Sequence, residues 1–132
     1  GRQLNLRVKD LMVTDDAIPK VTESTSLRDA ILTMNEKKLG MTCVINDKQQ
    51  MLGVFTDGDL RRALTAHPNP NSVIMNQIMS TSVKTISANT LAKDALLIMQ
   101  ENKITSLAIL DQNQHIEGIL HIHHLLQSGI IE

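Results

Sequence analysis

Apolar positions recur along the chain with two distinct periods. Leu27, Ala30, Ile31 and Met34 fall at i, i+3, i+4 and i+7, which predicts an amphipathic helix with one face turned inward. Ser26 followed by Asp29 fits a capping box at its start, and Gly40 supplies a stop. Ahead of the helix, Ile18-Pro19-Lys20-Val21 carries a short strand signal. Behind it, apolar runs at 42–45 and 51–56 flank the polar Asn46-Asp47-Lys48-Gln49-Gln50, whose length and polarity predict a hairpin loop. A short helix over 59–64 closes the series. The predicted order is strand, helix, strand, strand, helix.

The same order then recurs. Shifting the chain by 65 positions lays 21–60 over 86–125 without a gap. Thr25 meets Thr90, Asp29-Ala30 meets Asp94-Ala95, Met34 meets Met99, Gly53 meets Gly118 and Leu60 meets Leu125. The second helix carries Ala92, Ala95, Leu96 and Met99, with Asn89-Thr90 marking its start. Strands follow at 107–110 and 115–121, and a closing helix at 122–127. Upstream, Leu11-Met12 echoes Ile78-Met79 at a slightly different offset, so the leading segments differ in length. The chain is therefore two copies of one supersecondary unit. The expected divisions are 1–66 for the first repeat with its lead-in, 67–75 for a linker and 76–132 for the second repeat. The linker opens with the turn-rich His67-Pro68-Asn69-Pro70-Asn71, and Ser72 is expected to cap a short helix towards Met79. The fold class is α/β (α+β), with two βαββα units. Neither repeat is large enough to cover its own sheet, so the two are expected to pack about a pseudo-twofold axis and leave two related clefts for ligands.

Composition narrows the function. Phe55 is the one aromatic residue; Trp and Tyr are absent, so the core must be aliphatic and any ring ligand would be gripped without stacking. Thirteen basic against fourteen acidic residues give a net charge of −1, with no basic stripe for nucleic acid. No apolar run reaches the length of a membrane-spanning helix, so neither nucleic acid nor a membrane is expected as partner. A lone cysteine, Cys43, lies in an apolar run; it reads as a buried hydrophobe and suits a reducing, cytoplasmic setting. The chain opens on Gly1 rather than Met, which reads as a C-terminal piece of a longer protein.

The most distinctive stretch is Gly53-Val54-Phe55-Thr56-Asp57-Gly58-Asp59-Leu60-Arg61-Arg62, running off a strand into a helix N-terminus. Free backbone N–H groups there attract anions. Thr56 offers a hydroxyl, and Asp59 two carboxylate oxygens able to accept from a vicinal diol such as a ribose. A phosphate would go to backbone amides or to Arg61 and Arg62, because a carboxylate repels it. The same residues also suit plain turn and N-cap roles, with solvated or ion-paired arginines.

These motifs, twice repeated, resemble a CBS pair over about 8–129. The resemblance implies a cytosolic regulatory module that commonly binds adenosine nucleotides such as AMP or ATP and often dimerises. It places ribose contacts at Thr56 and Asp59, beside Asp57 and Gly58, and further contacts at Ile18, Leu39, Gly40, Met41 and Thr42. A narrower resemblance rests on Arg7-Val8-Lys9-Asp10-Leu11-Met12, Leu27-Arg28-Asp29-Ala30, Phe55 to Arg62 and Gly118-Ile119-Leu120-His121-Ile122-His123. Together these are similar to the C-terminal half of the D-arabinose 5-phosphate isomerases. That family joins a sugar-isomerase domain to a CBS pair and serves Kdo synthesis for lipopolysaccharide or capsule. It implies an N-terminal isomerase domain as partner, a homodimer of CBS pairs or a homotetramer, and a small effector, either an adenosine nucleotide or a pathway sugar nucleotide. No obligatory cofactor, catalytic residue or metal ligand is assigned to these 132 residues.

The second repeat departs from the pattern, with His121 and His124 where the first has Thr56 and Asp59. Its candidate site residues are Thr105, Ser106, His121, His123 and His124, with His115 at the head of the same strand. Histidines so spaced read as partly exposed structural residues, as phosphate or sugar contacts, or as a metal site that matches no standard zinc motif. Three function classes follow: a ligand sensor attached to an isomerase, an assembly module with empty clefts, and a catalytic fragment.

Overall fold

The computed structural model describes residues 5–130, so the outermost residues of the expected divisions, Gly1 among them, lie outside it. The elements are α1 (Val8–Leu11), β1 (Lys20–Thr22), α2 (Leu27–Lys37), β2 (Met41–Ile45), β3 (Met51–Thr56), α3 (Asp57–Ala66) and α4 (Met75–Ile78), then β4 (Thr85–Ile86), α5 (Ala92–Asn102), β5 (Ser106–Leu110), β6 (Ile116–His121) and α6 (Ile122–Gln127). They form two three-stranded sheets, β1-β2-β3 and β4-β5-β6. In each, the first strand runs parallel to the middle one and the last antiparallel. This is the βαββα order twice over. The middle strand β2 is buried along its whole length, which explains why it reads as an unbroken apolar run.

The chain divides into two compact units, and these do not coincide with the sequence repeats. Asp16–Val83 is one; the other joins Gly1–Asp15 to Lys84–Glu132. The compact units thus cut across the expected repeat divisions: the first lead-in falls with the second repeat and 76–83 with the first, each lead-in packing on the other repeat's sheet. Val13 bridges to Ile119 and Ser80 to Val54. The cause is burial of apolar side chains: Val8 is fully buried with Met99, Leu107, Leu120 and Leu125, while Met75 is fully buried with Leu27, Val44 and Phe55.

Glycine permits these docking contacts. A Cβ on Gly53 would lie 2.5 Å from the Ser80 carbonyl oxygen, and one on Gly118 would lie 2.7 Å from that of Val13. Both obstacles are backbone and cannot rotate away. Gly53→Ala is expected to destabilise its unit by about 1–3 kcal/mol, seen as a lower urea midpoint in far-UV circular dichroism with the slope unchanged.

Several local signals prove different in detail. Helix α2 starts as expected, with Ser26 Oγ accepting from the Asp29 N–H at 3.1 Å. It ends on Lys38 in the left-handed region at φ 61°, with Gly40 also at positive φ two residues on. Lys103, 65 residues later, ends α5 in the same way at φ 54°. Helix α5 is entered from Leu91 without a side-chain cap, rather than from Asn89-Thr90, because the carbonyls of Asn89 and Thr90 accept from the Arg7 side chain and the Val8 N–H. Ser72 does not cap α4; its hydroxyl donates to the Asn69 carbonyl, and α4 begins after Ile74. Strand β1 starts two residues later than the expected 18–21 and ends one later, where pairing with β2 places it. The hairpin loops are as expected: Asn46 Oδ1 accepts from Lys48 and Gln50 N–H, and Asp111 Oδ1 from Asn113 and His115 N–H.

Candidate functional site

In the first unit, β2 and β3 pair so that Met41 faces Thr56 across the ladder. That register sets the turn at Gly40 beside the β3–α3 junction, and the Asp57 N–H donates to the Gly40 carbonyl at 3.0 Å. Gly40, Met41, Thr56 and Asp57 therefore come together from residues sixteen or so apart in sequence. The approach is close: a Cβ on Gly40 would sit 3.1 Å from an Asp57 carboxylate oxygen. Gly40 and Asp57 also line an open pocket of about 240 Å³, together with Ile31, Met34, Asn35, Lys38 and Leu60.

Thr56 and Asp59 form a reciprocal box around the start of α3. Thr56 Oγ1 accepts from the Asp59 N–H at 3.2 Å, while Asp59 Oδ2 accepts from the Thr56 N–H and from the Thr56 hydroxyl, both at 3.0 Å. The other carboxylate oxygen, Oδ1, accepts from Arg62 Nη2 at 2.8 Å and from the Ser80 hydroxyl at 3.0 Å. Asp59 is 8% exposed. Burial opposes its ionisation, but the Thr56 N–H, Arg62, Ser80 and the Thr56 hydroxyl outweigh it and hold the carboxyl below the usual aspartate value. The result is a buried anion held by four donors. The two on Oδ2 belong to the helix cap. The two on Oδ1 are side chains, and that of Arg62 is 73% exposed.

The remaining candidates scatter. Ile18, Leu39 and Thr42 are buried in the unit, and the Thr42 hydroxyl donates to the Cys43 carbonyl at 3.2 Å within its own strand. Arg61 is exposed on α3 and its carbonyl accepts from Thr65. Cys43 is fully buried, and burial pushes its thiol up to about 12 against the lowering effect of Lys20, which makes it inert at neutral pH. Sequence reasoning missed Ser80. Its position follows Ile78-Met79, so the lead-in echo pointed at the segment, but only the bridge to Val54 carries the hydroxyl to Asp59.

The second unit repeats the backbone of this junction with different chemistry. Ser106 faces His121 across the ladder, and the Ile122 N–H donates to the Thr105 carbonyl at 2.8 Å. His121 Nδ1 accepts from the His123 N–H and His124 Nδ1 from the His121 N–H, each at 3.1 Å. The His121 and His123 rings stack with centroids 4.7 Å apart. His115 lies apart from these, at the other end of β6, where it pairs with Asp111 at 3.5 Å. Among the described residues no group of three His, Cys, Asp or Glu side chains is placed to hold a metal ion.

The sequence pattern of the CBS domain matches residues 8–66 and 75–129. The chain belongs to the CBS domain family. A curated relative from Pseudomonas aeruginosa, arabinose 5-phosphate isomerase KdsD, is 41% identical over 131 residues, or 99% of this chain. The enzyme of the same name from Escherichia coli is 40% identical over the same length. This CBS chain spans 40% of the length of both relatives. Among solved structures, an uncharacterized conserved protein from Pyrococcus horikoshii matches with a TM-score of 0.83 and 27% identity, covering 98% of this chain and 96% of its own. The structure of CBSX2 in complex with AMP matches with a TM-score of 0.80 and 25% identity, covering 94% and 96%. Among the described residues no helix is long and apolar enough to cross a membrane.

Proposed function

We propose that this CBS pair is the effector-sensing part of an arabinose 5-phosphate isomerase, that its effector is an adenosine nucleotide or a sugar nucleotide, and that the Thr56–Asp59 junction grips the ribose. The catalytic work belongs to an isomerase domain on the same polypeptide, in the cytoplasm, within a homodimer of CBS pairs or a homotetramer. The relatives at about 40% identity support the parent activity. AMP in the CBSX2 structure supports the ligand class.

One observation carries the site: the buried Asp59 carboxylate is held ionised, and two of its four donors, Arg62 and Ser80, are side chains outside the helix cap. A vicinal diol brings two hydroxyl donors to Oδ1 in place of Arg62 and Ser80. The freed Arg62 guanidinium, already mostly in solvent, then turns to the phosphate. Ligand binding thus exchanges an internal ion pair for a ligand-bridged one, and the altered end of α3 biases the attached domain through differential affinity for two states. Gly40, Met41, Asp57 and Gly58 shape the rim, with Ile18, Leu39 and Thr42 behind it and Arg61 as a second phosphate donor.

Calorimetric titration with AMP, ADP, ATP, CMP, CMP-Kdo and arabinose 5-phosphate tests this reading. Saturable binding tighter than about 1 mM by one of the nucleotides is expected. Silence across the panel removes the sensor role. The exposed leucines Leu32, Leu64, Leu97 and Leu126 favour the second reading, an assembly module without ligand, and sedimentation of a stable ligand-independent oligomer would then be its mark.

A further inference from the structure

The second repeat keeps the capping geometry of the first but builds it from two imidazoles. At the positions of Thr56 and Asp59 stand His121 and His124, and each ring accepts a backbone N–H through Nδ1. A ring nitrogen can accept only while it carries no proton, so both rings must be neutral, with the proton on Nε2. Protonating either ring sets a new N–H donor against the backbone N–H it had capped. It also puts positive charge at the positive end of a helix. Neither problem exists in the first repeat, whose box uses a hydroxyl and an anion.

We propose that the His121–His124 box is a proton-operated latch, holding the start of α6 while both rings are neutral and releasing it when they are protonated. Burial, with the neighbouring imidazoles acting in the same direction, lowers both rings below the ordinary histidine value: His123 and His124 act on His121, and His123 acts on His124. Among the described residues no carboxylate is one of the groups that act on either ring. The ionisable groups on α5 and β6, which pack on α6, are Lys93, Asp94, Glu101 and Glu117, and none of them is among the groups that act on either ring. Because the unfolded chain binds the protons first, the latch gives its full stability above about pH 6.5. That stability is lost as pH falls through the lower folded-state values. Leu125, fully buried in the aliphatic core of this unit, lies one residue beyond the box, so release of the latch loosens a core anchor of the repeat. The second repeat thereby takes a proton as its effector, independently of any nucleotide at Thr56 and Asp59.

Long-range proton–nitrogen NMR on the 132-residue chain reads the tautomers directly. At pH 7.5, His121 and His124 are expected to show unprotonated Nδ1, and both to titrate below a free imidazole. Between pH 7.5 and 5.5, amide exchange in α6, corrected for intrinsic rate, is expected to speed up roughly tenfold, while α3 is unchanged. The double variant His121→Thr, His124→Asp rebuilds the first repeat's box and is expected to abolish the response in α6. An Nδ1–H tautomer at pH 7.5 overturns the latch, as does a pH response that survives in the double variant.

Discussion

Phe55→Ala is expected to cost the Asp16–Val83 unit about 3–5 kcal/mol, the largest single effect of any substitution considered for this chain. The reason is positional. Phe55 is fully buried and stands among Val21, Leu27, Ala30, Met34, Val44 and Met75, side chains drawn from α2, α4, β1 and β2. Removing the ring leaves a cavity that rigid β-strand neighbours cannot close. Backbone on one side is pinned by the Val54–Ser80 bridge, with hydrogen bonds of 2.9 and 2.8 Å. Urea unfolding followed by far-UV circular dichroism measures this, since with neither Trp nor Tyr the chain has little intrinsic fluorescence. A loss below about 1.5 kcal/mol would mean that the neighbours repack, and that the unit is softer than its burial implies.

Asp59→Ala is expected to lose effector binding by thirtyfold or more, on the order of 2–5 kcal/mol, and to lower stability by about 2–3 kcal/mol. The variant removes the acceptor for four donors at once and leaves Arg62 unpaired. The two effects separate by pH. With its folded value held below that of a free aspartate, Asp59 contributes stability that is present above about pH 4 and lost as pH falls through the lower folded value. The wild-type chain should therefore shed stability in acid that the alanine variant never had, and the two unfolding curves converge there. Calorimetry at pH 7 gives the binding loss. Unchanged nucleotide affinity in a folded Asp59→Ala chain would remove the ribose assignment and leave Asp59 as a helix cap alone.

Much of this was legible in the amino-acid pattern, and the limits have physical causes. The strand at 51–56 and the helix at 122–127 were bounded correctly, because a polar loop, a glycine or a periodic apolar face marks each end. Boundaries failed where backbone pairing rather than side chains decides them. Thr22 joins β1 because Ile45 lies opposite, and Leu91 precedes α5 with the Ala92 N–H donating to the Leu6 carbonyl. At the junction, Thr56 and Asp59 were singled out as ligand contacts, with turn and cap roles as the alternative. The structure displays the capping geometry in full, and the proposed ribose contact is built on it. Ser80 was invisible because its partner lies 21 residues away and meets it only through the exchanged lead-in. The departure at His121 and His124 was visible at once as a broken motif. Its meaning was not, because the direction in which a ring nitrogen points cannot be read from spacing.

The exchange of lead-in segments fixes an order of events during synthesis. The Asp16–Val83 unit is contiguous and can close as soon as its last strand-bridging residue has emerged. The other unit cannot. Its opening residues must find partners as distant as Asn89, 82 positions away from Arg7, and Val8 has no core to enter until β5 and β6 exist. For that interval the segment around Val8 has no core to shelter it, and the long loop it must close makes this the slow step in folding of its unit. Chaperone dependence and any tendency to clump during expression should therefore track residues 6–13, which are made long before the strands they await.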